Sequence, residues 1–154
     1  MKEYTPELYI ANLIGLPLSY IQRIADTEFY GFGFGEIQEY PSRCTPGRIN
    51  RKTDYALHTL CPLALIWRTP VRKEEYFDPD TSLREFEASF RPLIGKNVIR
   101  ARIAQHNNLR IDFGIAWLTT LSDVDDKDCE TWRVFQPDSG NLHLVATSMS
   151  LKFL

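Results

Sequence analysis

Two residue pairs carry the most chemical promise, Trp67-Arg68 and Trp132-Arg133. A guanidinium is planar, stays charged at any working pH, stacks on aromatic faces and grips a carboxylate or phosphate through two parallel N–H bonds. Two such groups, flanking one pocket with the two indoles, would hold an anionic ligand or an acidic partner. Strand neighbours point to opposite faces, so the plainer expectation buries Trp67 and Trp132 and turns Arg68 and Arg133 outward against carboxylates.

Other groupings fall short of a chemistry. His58 and Cys61 have a metal-like spacing, yet three residues apart on a strand sends them to opposite faces, and no second pair completes four ligands. They read as a hydrogen-bonded histidine and a buried thiol. Gly31-Phe32-Gly33-Phe34-Gly35 has the glycines of a phosphate loop, but such a loop must open a helix. Period-two alternation with phenylalanine predicts a strand with a bare glycine face onto which other groups pack. Asp123, Asp125, Asp126, Asp128 and Glu130 lack the glycine turn of a calcium loop and read as a solvated run. The histidines His58, His106 and His143 stand near no nucleophile elbow, so no catalytic residue is assigned. No metal or cofactor is implied.

The elements that position these residues follow from caps and periodicity. Thr5 as N-cap, Pro6 in the first turn and Glu7 predict a helix through Leu13, closed by Gly15 in a left-handed turn. Ser82 and Glu85 form a capping box, with Leu83, Phe86 and Phe90 on one face and Pro92 ending the helix. Leu13-Ile14-Gly15 is echoed by Leu93-Ile94-Gly95, each followed by a hairpin-like stretch and later by Trp-Arg. Ile99, Ala101 and Ile103 share one predicted face and Arg100 and Arg102 the other. His106-Asn107-Asn108 turns the chain, and Leu109, Ile111 and Phe113 then alternate with Arg110 and Asp112. The first copy runs from Leu18 to Ile24, turns near Asp26 and returns through Phe29. Tyr55 to Trp67 is an apolar strand broken near Pro62, and Leu142 to Phe153 is locked into the sheet. Residues 39–53, 69–81 and 121–128 read as loops, the first of them basic.

The expectation is therefore an α+β fold, a single antiparallel, sheet-rich domain over residues 1–154 with two short helices. Its half-units, 5–70 and 82–154, would arise by duplication or share one sheet. A chain of 154 residues, 44% hydrophobic and 25% charged, is long enough for one core. Net charge is −2, which disfavours nucleic acid as a partner. The basic stretch of Arg43, Arg48, Arg51 and Lys52 is the only local argument for it, and it lacks interleaved aromatics. Three cysteines, no apolar leader and no run of about 20 apolar residues predict a cytoplasmic protein off the membrane.

Leu-Ile-Gly, Phe34-Gly35-Glu36, the Ala-Leu-His-x-x-Cys-Pro segment from Ala56 to Pro62 and a late Trp-Arg together resemble a family of small bacterial proteins. In that family Trp-Arg tends to follow Cys-Pro directly, whereas here residues 63–66 intervene. The resemblance spans about Leu13 to Phe135 and implies no activity. Two functions are expected from different classes. One is a non-catalytic protein-interaction domain, of the kind that includes immunity proteins against toxins, using a sheet face or the acidic run. The other is a small-molecule binder or enzyme with a pocket between the half-units, lined by Trp67, Arg68, Trp132 and Arg133.

Overall fold

The computed structural model describes residues 4–23, 30–68, 73–137 and 142–154. Helix α1 (Pro6–Ala11) begins where Thr5, in extended conformation, accepts the Leu8 amide on its hydroxyl at 3.2 Å. Helix α2 (Leu83–Phe90) begins likewise, Ser82 accepting the Glu85 amide at 3.2 Å. Phe86 and Phe90 are fully buried, but Leu83 is 43% exposed. Helical side chains lean toward the N-terminus, so a leucine in the first position projects past the core contact.

Thirteen strands run through the described residues: β1 (Leu18–Arg23), β2 (Tyr30–Phe34), β3 (Gln38–Pro41), β4 (Ile49–Lys52), β5 (Tyr55–Thr59), β6 (Leu63–Trp67) and β7 (Lys73–Phe77), then β8 (Arg100–Ile103), β9 (Leu109–Asp112), β10 (Ala116–Thr120), β11 (Trp132–Phe135), β12 (His143–Ala146) and β13 (Leu151–Phe153). They form a six-stranded sheet ordered β1-β2-β5-β11-β12-β13, a five-stranded sheet ordered β7-β6-β10-β9-β8, and the β3-β4 ribbon. All pairings are antiparallel. The fold is α+β, with strands dominant and two short helices. Ile24, Asp26 and Phe29 lie outside the described residues.

One expectation is overturned: the half-units do not share a single sheet. Pro62 ends β5 in one sheet and admits β6 to the other, so the apolar run from Tyr55 to Trp67 spans both. The six-stranded sheet takes β1, β2 and β5 from the first half and β11, β12 and β13 from the second, while α1 packs on β8 and α2 on β1. Two pairs of bonds repeat this arrangement. The Gly15 amide donates to the Val98 carbonyl and the Gly95 amide to the Leu18 carbonyl, both at 2.7 Å. At the crossovers, the Leu60 amide donates to Thr131 and the Leu121 amide to Pro62, at 2.9 and 2.8 Å. The Trp-Arg echo has no such counterpart, since Trp132 opens β11 while Trp67 closes β6.

Gly15 and Gly95 adopt φ of +89° and +88°, and a Cβ on either would meet nothing within 4 Å. Alanine at either position therefore adds backbone strain without a clash. Each variant should lose about 1–2 kcal/mol in urea unfolding, and an unchanged midpoint would contradict this.

Both larger sheets and both helices contribute to one hydrophobic core. The glycine face of β2 is covered as expected. A Cβ on Gly33 would sit 2.4 Å from the Tyr20 ring, and one on Gly31 2.9 Å from the Gln22 side chain. Three local readings are corrected. Residues 39–53 contain the β3-β4 ribbon, and β7 occupies part of 69–81; both are largely exposed, so no apolar alternation marks them. Ile99 is 61% exposed, while Val98 is buried. Residues 95–98 bond to the first glycine turn, which hands the core position to Val98.

Candidate functional site

The outer face of the five-stranded sheet gathers several arginines beside an aromatic ring. Leu109, Ile111, Ala116, Leu118 and Thr120 point into the core. Their strand neighbours Arg110, Asp112, Trp117 and Thr119 must therefore point out. Register sets Arg100 beside Asp112 and Asp112 beside Trp117, then Arg102 beside Arg110 and Arg110 beside Thr119. Arg68, just past β6, completes the group. Its two terminal nitrogens each donate to one oxygen of Asp112 at 2.6 Å, and one also donates to the Gly114 carbonyl at 2.7 Å.

Trp117 takes two guanidiniums, from Arg68 just past β6 and from Arg110 on β9. The Arg68 and Arg110 guanidinium carbons lie 4.7 and 4.3 Å from its ring centroid. Such contacts contribute about 0.5–1 kcal/mol each at exposed positions. The Arg68 hydrogen bonds, helped by the Gly114 amide and the neighbouring positive charges, hold the Asp112 carboxyl below the usual range against the opposing effect of burial. Arg110 shifts down, through partial burial first and then through the charges of Arg102, Arg68 and Arg100. Arg68 and Arg110 thus act on both the carboxylate and the indole, and Arg100 and Arg102 stand beside them by register. Sequence reading picked out Arg68 and predicted its outward turn against a carboxylate. It did not single out Trp117 or Arg110, although the outward alternation of Arg100, Arg102, Arg110 and Asp112 was the available signal.

Arg133 organises a separate group on the six-stranded sheet. Its Nε donates to Glu130 at 2.9 Å, a second nitrogen bonds the other Glu130 oxygen, and a third donates to His143 Nδ1 at 3.0 Å. Arginine is only a donor, so His143 carries its proton on Nε2. Phe135 stacks on His143 at 4.5 Å and receives His58 edge-on at 4.9 Å. The expected hydrogen-bonded His58 is instead set against an aromatic ring. Burial, then the Arg133 charge, lowers both histidine pKa values, with Glu130 opposing.

A histidine whose folded pKa is lowered contributes stability that is complete above its unfolded value of 6.5 and is lost as pH falls through the folded value. Thermal melts should therefore show stability declining below about pH 6.5. The decline should be smaller in His58→Phe, and equal slopes in both proteins would contradict the assignment.

The four residues singled out by sequence divide between these places. Trp67 is half-buried at the end of β6, Trp132 is wholly buried, and Arg68 and Arg133 serve different sheets. None of them lines either of two clefts that do lie between the half-units. One cleft, about 190 Å³, is bordered by Cys61, Asp123, Asp126, Cys129 and Glu130. Burial pushes the Cys61 thiol up to about 11, and a bond to Asp126 with nearby carboxylates raises that of Cys129. Both are weak nucleophiles near neutrality. The other, about 260 Å³, lies between β1, β4 and α2, with Tyr20, Arg51, Glu87 and Arg91 on its walls. Among the described residues no group of three or more histidine, cysteine or acidic side chains is placed to hold a metal, and no helix is long and apolar enough to cross a membrane.

No family model matches the chain, and no curated protein or solved structure matches it.

Proposed function

We propose that this is a non-catalytic protein-interaction domain that docks an acidic segment of another protein on the outer face of β8, β9 and β10. The observation that supports it is the cluster of Arg68, Arg100, Arg102 and Arg110 on the face that carries Trp117, with Asp112 among them. Tryptophan and arginine are the residues that dominate binding energy at protein interfaces. A concentrated patch of one sign also steers a partner of the opposite sign. The indole already carries contacts from two guanidiniums, so less side-chain freedom is lost when a carboxylate-rich strand arrives. The overall charge of −2 favours a protein partner over nucleic acid.

Anisotropy of a labelled glutamate-rich peptide, titrated with the intact protein, tests the reading, with a labelled oligonucleotide as the contrasting arm. The peptide should bind in a salt-sensitive manner, and Arg102→Glu with Arg110→Glu should weaken it at least ~10-fold. Binding of the oligonucleotide alone, or peptide binding indifferent to both charge reversals, would refute it.

A further inference from the structure

We propose that the cleft between β1, β4 and α2 binds a small amino-acid-like molecule, its carboxylate taken by Arg51 and Arg91 and its ammonium by Glu87. The cleft encloses about 260 Å³, at or just below the small end of ligand sites, roughly 300–1,000 Å³. That volume suits a compact metabolite.

One wall is fixed by the fold. Tyr20 lies against the bare backbone of Gly33, where a Cβ would fall 2.4 Å from its ring, and the Arg51 guanidinium carbon is 5.6 Å from the ring centroid. The facing wall is the end of α2, carrying Glu87 and the capping residue Arg91. Among the described residues, none of Arg51, Arg91 and Glu87 has an ion-pair partner. Elsewhere on this molecule Arg68 and Arg133 each engage a carboxylate at hydrogen-bonding distance. Two unpaired guanidiniums and an unpaired carboxylate on one small cleft are a set that a zwitterion completes. Ser19, also on the wall, donates its hydroxyl proton to the Gly35 carbonyl, which leaves its oxygen as a further acceptor for an ammonium. Charge-assisted bonds of both signs then fix the ligand's orientation.

The site shares no residue with the arginine–tryptophan face, so the two proposals stand or fall separately. Amide chemical shifts of the full-length protein, titrated with L-alanine, acetate and inorganic phosphate, test it. Alanine should shift the amides of Ser19, Tyr20, Arg91 and Ile94 at ~10-fold lower concentration than acetate does. Arg51→Gln and Arg91→Gln should weaken both probes. Glu87→Gln should abolish the preference for alanine while acetate still binds. All three side chains lie on the surface, and the unperturbed remainder of each spectrum reports that the variant is folded. Absence of shifts with alanine, equal or tighter binding of acetate or phosphate, or a preference that survives Glu87→Gln would overturn the proposal.

Discussion

Phe86→Ala should lower unfolding stability by about 3–5 kcal/mol, among the largest losses available from a single side chain here. Phe86 is wholly buried on α2 and meets four other rings. Its centroid is 4.3 Å from Tyr30 and 5.7 Å from Phe32 in the six-stranded sheet, 5.9 Å from Phe77 in the five-stranded sheet, and 4.9 Å from Phe90 on its own helix. Removing the ring opens a void at the point where both sheets and the helix meet. Close-packed rings fixed by separate strands collapse into such a void only partly, which places the loss toward the top of the range. The urea midpoint measures it. Phe86→Leu keeps most of the volume and should retain much of the stability. A loss under about 1 kcal/mol for alanine would mean that the helix does not seal the core.

Trp132→Ala should be comparably damaging, by about 3–5 kcal/mol, for a reason that a second variant separates. The indole is fully buried on β11 and donates Nε1–H to the Asn107 carbonyl at 2.8 Å. Asn107 belongs to the turn between β8 and β9, with φ of +57°, and its own side chain donates to the Thr147 carbonyl at 3.1 Å. These two bonds tie the turn of one sheet to the strands of the other. Trp132→Phe keeps an aromatic filler but loses the donor and part of the ring volume, so it should cost about 1–3 kcal/mol, less than alanine. If Trp132→Phe were as harmful as Trp132→Ala, the bond rather than the volume would carry the effect. If neither mattered, the tie between sheets would be incidental.

How far these features were legible varied with the physics behind each. Helix starts were readable because Thr5-Pro6 and Ser82 with Glu85 act through bonds only three residues long. The covered glycine face was readable because alternation with phenylalanine dictates which side is bare. The division into two sheets was not, because a strand's period states which face is buried and not which strand lies beside it. Pro62 marked the break without saying where the chain went next. The β3-β4 ribbon and β7 were hidden by their exposure, since a strand such as Lys73-Glu74-Glu75-Tyr76-Phe77 buries only its last residue.

The candidate site shows the same limit. Arg68 and its outward turn were legible from the strand it follows. Its partners Asp112 and Trp117 are more than forty residues away in sequence and were joined to it by sheet order alone. Trp67 and Trp132 looked equivalent as dipeptides, yet one closes its strand half-buried and the other opens its strand inside the core. Side-chain type can be read from a sequence, but a shared surface depends on long-range pairing.

Arginine footprinting puts the docking proposal to its most direct trial. With a glutamate-rich peptide bound, phenylglyoxal should modify Arg100, Arg102 and Arg110 much more slowly than in the free protein, while Arg43 and Arg84, on other parts of the surface, keep their rates. Unaltered rates at all three of those positions under saturating peptide would mean that acidic chains do not settle on this sheet.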